Sequence, residues 1–464
     1  MNTNQFNHID VDVLRKIDKP GPRYTSYPTA PLFSTDFTWK DFLGEIKHTN
    51  RDDRKTDLSL YLHLPFCDTL CYFCGCTMIV TRNRERIKEY NDYLKREIDL
   101  VREHISDDRI VTQLHWGGGT PSYLDPEDIY DLASHLKNNF RYDPDIEAGV
   151  EIDPRGLTYE HMAALREAGF NRVSMGVQDF NPKVQEAVNR IQPEDITRQT
   201  VDWSRQLGFS SINLDLIYGL PFQTVDSFEK TVEKIIDISP DRIAVFNYAH
   251  VPWLKKHQKL IKPEDLPTPD QKIDILKKTM EMLGQAGYWY VGMDHFAKPD
   301  DELAVAQRNK TLYRNFQGYS TKAGCDLYGF GMSSISQFNE IYAQNEKTLK
   351  EYYDAIDEGR LATFQGYRMT TDDHIRKFVI TKLMCDFELD PAEVEKEFHI
   401  TFDEYFEDSL IKLSDFMHDG FIRKENGRYI ISPSGRLIVR NIAMCFDAYI
   451  DALVKEKPIF SRTV

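Results

Sequence analysis

The stretch Tyr61–Cys76, YLHLPFCDTLCYFCGC, carries four of the seven cysteines of a 464-residue chain: Cys67, Cys71, Cys74 and Cys76. An apolar run, LSLYLHLPF from Leu58, leads straight into them and reads as a strand. Gaps of three residues, two, then one gather the thiols on a tight loop at the strand's end. In a parallel α/β sheet the loops that follow the strands converge on one rim, where sites form. These residues therefore bear on the fold and the chemistry together.

A structural zinc site draws its four ligands from two separated knuckles. No second CxxC and no HxxxH occurs in the chain, and a zinc site closed within residues 67–76 would be cramped. Soft thiolates on one loop suit an iron–sulfur cubane better. The CxxxCxxC of Cys67, Cys71 and Cys74 supplies three thiolates and leaves one iron open to a ligand. Reduced cysteines packed as small apolar residues account poorly for so dense a cluster.

The composition sets bounds. The length suits one barrel-sized domain plus a smaller one, since α/β barrels take about 250 residues. A hydrophobic content of 41% with 12% aromatics is that of a globular chain. There is no apolar run of about 18 residues, and MNTNQFNHIDVDVLRK lacks the layout of a signal peptide. An odd, clustered set of cysteines argues against a secreted disulfide framework, so a cytoplasmic protein is expected. With 58 basic and 74 acidic residues the net charge is −16. That excludes the broad basic face of a nucleic-acid binder.

From Leu58 a strand–helix unit repeats. LSLYLHLPF, IVTQLHW, EAGVEID, NRVSMGVQ, INLDLIYG and RIAVFNYAH read as strands, each but the last followed by a helical pattern. The alternation predicts a parallel sheet, either a barrel or a doubly wound sheet, with WYVGMDHFA as a further strand. The strand ends carry Cys67–Cys76, then the glycines 117–119 with Thr120, Glu151 to Asp153, Gln178 with Asp179, Asp215, and Asn247 to His250. A single acid at such an end is ordinarily a helix cap, and Asp153 before Pro154 reads that way. Six consecutive ends with polar residues form a rim. Bare glycines let a backbone approach a ligand and offer it N–H groups. Glu151 suits an ammonium or sulfonium and Asp215 a ribose hydroxyl, with Gln178 and Arg190 as further polar contacts.

The CxxxCxxC spacing with the aromatic Phe73 resembles the signature of the radical S-adenosylmethionine superfamily. Within it, CYFCGC is similar to the oxygen-independent coproporphyrinogen III oxidase family, and the likeness runs from Arg23 to MCFDAYI. Small departures occur at Ser320, Tyr328 and Met332. The resemblance implies a partial (β/α)6 barrel, with Cys67, Cys71 and Cys74 holding a 4Fe–4S cluster and Cys76 not a ligand. It implies that Tyr61, Phe73, Gly118, Gly119, Thr120, Glu151, Gln178, Arg190, Asp215 and Ala249 bind S-adenosylmethionine. Ile335, with Phe316 and Gln317, would meet a second S-adenosylmethionine. The implied reaction converts two propionates of coproporphyrinogen III to vinyl groups through a 5′-deoxyadenosyl radical. The product is protoporphyrinogen IX, for heme synthesis. A monomer served by an unidentified electron-donor protein is expected. A heme chaperone of the same superfamily is the alternative, opposed by Cys76 and by the N-terminal arm.

That arm, PGPRYTSYPTAP (20–31), reads by composition as a proline-rich linker. The resemblance reverses this and makes Arg23 and Tyr24 residues that close over substrate, alongside Phe316 and Gln317. Residues 1–57 are expected to be arm and lead-in helices, 58–350 the barrel with its substrate-side loops, and 351–464 a mainly helical, winged-helix-like domain. The polar, glycine-rich stretch around residues 314–336 reads as loop, and FIRKENGRYIIS as a hairpin about Asn426-Gly427. Cys325, Cys385 and Cys445 are expected to be unligated.

Overall fold

The computed structural model describes residues 19–456 and Phe460, apart from Asp52 and Arg54. The first residues of the expected lead-in, 1–18, lie outside the described residues. Six strands carry the barrel: β1 (Leu58–Leu64), β2 (Ile110–Gly118), β3 (Arg141–Ile152), β4 (Arg172–Gln178), β5 (Ser211–Tyr218) and β6 (Arg242–Asn247). Each pairs in parallel with the next. Six more strands extend this sheet: β7 (Trp289–Gly292), β8 (His295–Ala297), β9 (Asp326–Phe330), β10 (Ile335–Gln337), β11 (Ile341–Asn345) and β12 (Thr363–Arg368). The order is β12-β11-β10-β9-β1-β2-β3-β4-β5-β6-β8-β7, an open barrel wall with helices packed on its outside.

The local reasons are conventional. β1 alternates leucines, which enter the core, with Ser59, Tyr61 and His63 on the other face, and all but Tyr61 are buried. The crossover helices start where a side chain satisfies a free N–H. Asn83 Oδ1 accepts from Arg86 N before helix Arg84–Arg102, and Thr224 and Ser227 form a capping box before Val225–Ile238. Behind the sheet, Trp116 on β2 is fully buried and meets Phe170 edge-on, with ring centroids 4.9 Å apart.

Two expectations need correcting. WYVGMDHFA holds two strands: Gly292 and Met293, both at positive φ, turn the chain so that β8 returns antiparallel beside β6. Two residues between strands leave no room for the crossover that a parallel pairing requires. The seventh parallel strand is instead β9, beside β1 on the other side, inside the stretch expected to be loop. All five of its residues are buried.

Strand β12 belongs to the same sheet, so the barrel wall runs past the expected boundary at residue 350. The C-terminal unit that follows packs helices Thr371–Asp386 and Val439–Met444 together. It carries a three-stranded sheet, Glu388–Leu389, Arg428–Ile431 and Ile422–Glu425 in that order. Its hairpin turns at Asn426 and Gly427, both at positive φ as a two-residue turn of this hand requires. Among the described residues no helix is long and apolar enough to cross a membrane.

The arm is built into the fold. Tyr24 and Tyr27 are buried. Tyr24 donates to Asp447 at 2.9 Å, and the Tyr27 hydroxyl accepts from Ala448 N at 3.0 Å. The Tyr27 carbonyl accepts from Tyr342 of β11, and Arg23 pairs with Asp294 in the β7–β8 turn. The arm thus bonds to the barrel wall and to the C-terminal unit.

Candidate active site

The cysteine loop is shaped by its backbone. Tyr72 N donates to Val188 O at 3.0 Å and Asn189 Nδ2 to Leu70 O at 2.8 Å. From the segment after β6, His257 Nε2 donates to Cys74 O at 2.8 Å, Gln258 Nε2 to Phe73 O and Lys255 Nζ to Cys76 O, both at 3.0 Å. A carbonyl only accepts, which fixes the His257 tautomer. Tyr72 and Phe73 pack on a buried cluster of Val184, Val188, Leu220, Tyr248 and Ile261, which leaves the cysteine sulfurs to the other side.

Those sulfurs face a cavity of about 480 Å³ at the C-terminal rim of the sheet. Phe73, Gly119, Thr120, Glu151, Gln178, Arg190 and Asp215 line it with Cys67, Cys71, Cys74 and Cys76. Thr120 donates to Cys67 Sγ at 3.3 Å. Arg155 and Arg190 approach Cys71 Sγ at 3.5 and 3.6 Å and both pair with Asp153. Burial pushes the Cys67 thiol up to about 12. The Cys76 thiol, hydrogen-bonded to Cys74, holds the latter down to about 6. Among the described residues no three His, Cys, Asp or Glu side chains converge on the point a single ion would occupy. Three separated thiols beside two guanidinia fit a polynuclear anionic centre.

The glycine run permits the close approach of strand and loop. Gly118 has φ +113, where a Cβ would lie 2.6 Å from the His63 ring. A Cβ on Gly119 would lie 2.5 Å from the Pro65 carbonyl. Gly118 N donates to Glu151 Oε2 at 3.2 Å and His115 Nε2 lies 3.4 Å from Oε1. Burial raises the pKa of Glu151, but His115 and the Gly118 N–H outweigh it and hold the carboxylate below its usual range. Asp215 goes the other way: burial, reinforced by the charge of Glu151, lifts it to about 7 against the hydrogen bond from Asn213. The buried Gln178 Oε1 has no hydrogen-bond partner among the described residues, on a residue held at φ +67. An unpaired acceptor in a rim cavity fits a ligand's N–H or O–H.

Tyr61 lies one step deeper, donating to His63 Nδ1 at 3.1 Å and stacked on His115 at 6.0 Å. Ala249 is half-buried and follows in sequence Tyr248, which packs beneath Phe73; it does not line the cavity. Ile335 and Phe316 sit together elsewhere, against Phe33, Tyr342 and Met369 under the arm. Gln317 Nε2, at the turn between strands Tyr313–Asn315 and Gly318–Ser320, is buried without a hydrogen-bond partner among the described residues. Arg23 and Tyr24 lie at the seam with the C-terminal unit. Asp179 is turned away, fully buried among Thr231, Gln223 and Asn181. His63, His115, Arg155 and His257 also shape the site, and no motif of the sequence marks them. Of these, His115 was within reach of sequence, alternating along β2 with Gln113 and Gly117.

This arrangement of sheet and loop has known counterparts. Residues 61–235 match the Radical SAM superfamily and residues 369–438 the HemN C-terminal domain. Over 98% of its length the chain is 47% identical to oxygen-independent coproporphyrinogen III oxidase from Escherichia coli K12, again covering 98% of that protein. It is 44% identical, at the same coverage of both chains, to the protein of that name from Synechocystis sp. PCC 6803. The solved structure described as coproporphyrinogen III oxidase (HemN) from Escherichia coli, a Radical SAM enzyme, superposes with a TM-score of 0.90 at 46% identity. That match covers 95% of this chain and 99% of that one. The fold and cysteine loop are thus those of the radical S-adenosylmethionine enzymes. Within them, the chain belongs to the oxygen-independent coproporphyrinogen III oxidase family. It is an oxidoreductase whose cofactors are a 4Fe–4S cluster and S-adenosylmethionine.

Proposed function

We infer that this chain catalyses the oxygen-independent oxidative decarboxylation of two propionate side chains of coproporphyrinogen III. The product carries two vinyl groups and is protoporphyrinogen IX. The observation that carries this reading is the cavity in which three cysteines, Glu151, Gln178 and Asp215 meet, in a chain similar over nearly its whole length to enzymes of that name. Cys67, Cys71 and Cys74 would hold the cluster, which when bound supplies the electron that cleaves S-adenosylmethionine and starts the radical reaction.

The remaining work falls to the protein. Ionised Glu151 suits the ammonium of the methionine moiety. Asp215 and Gln178 Oε1 offer acceptors to hydroxyl and amino groups, and Arg190, fixed by Asp153 and the Gly176 carbonyl, holds the floor of the cavity. Phe73 walls the site, and the glycine run contributes close approach rather than donors, since the N–H groups of Gly118, Gly119 and Thr120 are bonded to Glu151, Leu64 O and Phe66 O. Tyr61, Gly118 and Ala249 complete this proposed cofactor set. Arg23, Tyr24, Phe316 and Gln317 are assigned to the substrate side, where the arm and the Tyr313–Ser320 hairpin exclude water, and Ile335, beside Phe316, to a second S-adenosylmethionine. A cytoplasmic monomer that takes electrons from a donor protein completes the proposal.

Anaerobic incubation of the reconstituted protein with coproporphyrinogen III, titanium(III) citrate and S-adenosylmethionine tests the reading. Vinyl product and 5′-deoxyadenosine are expected together. Tight stoichiometric heme binding without porphyrinogen turnover would overturn it.

A further inference from the structure

The segment that grips the cysteine loop from outside has a second face. Val251–Lys262 reads VPWLKKHQKLIK, with four lysines and no carboxylate, in a chain of net charge −16. Its inner side is fixed: Ile261 is buried with the residues under Phe73, and Lys255, His257 and Gln258 bond to the backbone of the loop. Its outer side is apolar and cationic. Leu254 and Leu260 are 57% and 58% exposed, and among the described residues only Ile411 is a more exposed large apolar side chain. Lys256, Lys259 and Lys262 are exposed and form no ion pair among the described residues. Glu264 and Asp265 end the patch.

Packing explains the inner side of this segment and leaves Leu254, Leu260 and the three lysines unexplained. Apolar side chains ringed by like charges are the pattern of a docking surface whose partner carries the opposite charge. The rest of this acidic molecule repels an acidic protein, so the patch would also set the orientation of approach. Electron transfer falls off steeply with distance, and this segment touches the carbonyls of Cys74 and Cys76 directly. We propose that the surface of residues 254–262, with Leu254, Leu260, Lys256, Lys259 and Lys262, is the docking surface for an acidic one-electron carrier protein. The inference rests on the function proposed above. At each encounter one electron passes from the carrier's reduced centre to the cluster, and the carrier leaves oxidised by one electron.

The test compares a protein reductant with a small one, using the holoenzyme and its Lys256→Glu/Lys259→Glu/Lys262→Glu variant. With a reduced acidic ferredoxin as probe, the half-saturating concentration for 5′-deoxyadenosine formation should rise about tenfold or more. The salt dependence of the wild-type rate should disappear with it. Calorimetric binding of oxidised ferredoxin to the holoenzyme should weaken by a similar factor. With titanium(III) citrate the variant should match wild type. Unchanged ferredoxin binding overturns the proposal. So does an equal loss with both reductants, which would assign the lysines to steering the carboxylate-rich substrate. A Leu254→Ser/Leu260→Ser variant tests the apolar part separately and should show the same split. Wild type inactive with titanium(III) citrate overturns the enzymatic reading, and this role with it.

Discussion

Cys76 differs from its neighbours in what holds it. It is exposed, its carbonyl is tied to Lys255, and its thiol bonds to Cys74, whereas Cys67 and Cys71 have Thr120 and two guanidinia at their sulfurs. Cys76→Ser should therefore retain near-wild-type iron after reconstitution, and Cys71→Ser should lose it. Iron and sulfide analysis reads both, and equal loss would make Cys76 a ligand. Asp215 has a pH signature. Its pKa is raised from 3.8 to about 7, so the fold holds a proton that the unfolded chain releases. The cost of burying the carboxylate is absent below about pH 4 and grows until the pH passes 7. Without S-adenosylmethionine, Asp215→Asn should gain about 2–3 kcal/mol relative to wild type between pH 5 and pH 8. Urea unfolding at the two pH values checks this. Cysteines, glycines and carboxylates at strand ends were legible because spacing and position mark them. His63 and Arg155 carry no such mark. An inward histidine on a strand and an arginine after a proline look the same wherever they occur, and only the fold brings Arg155 to the cavity and the His63 ring against Gly118 behind it.

Among the elements, the six barrel strands and their helices were legible from alternation and capping, and the Asn426-Gly427 hairpin from its turn residues. Strand β9 was hidden because DLYGF is buried on both faces and broken by glycine, so it shows no period of two. Partners distant in sequence fix it. Arg109 pairs with Asp326 at 2.6 Å, with both side chains buried, at its start. Just past its end the Glu97 carboxylate accepts from Gly331 N at 2.6 Å and Tyr352 at 2.7 Å. Removing one partner of a buried pair leaves the other charged and unpaired. Asp326→Ala should cost about 3–5 kcal/mol in chemical unfolding, and adding Arg109→Met should restore much of it. No recovery in the double variant would mean that Asp326 acts through packing alone.

At the scale of the molecule, barrel and C-terminal unit are joined through an arm that composition presents as a linker. Tyr27 donates nothing that sequence could reveal, yet it accepts from Tyr342 on one side and Ala448 on the other and is almost fully buried. Tyr27→Ala should cost about 3–5 kcal/mol. Calorimetry should then show the C-terminal unit melting ahead of the barrel, and a single unsplit transition at the wild-type temperature would contradict the role given to the arm. The backbone grip on the cysteine loop has a consequence for life in air. Carbonyls and amides, not sulfurs, set the shape of that loop, so oxygen that strips the inorganic atoms need not unravel the polypeptide. Repair then amounts to resupplying iron and sulfide to a cradle already in shape, with no new protein to be made.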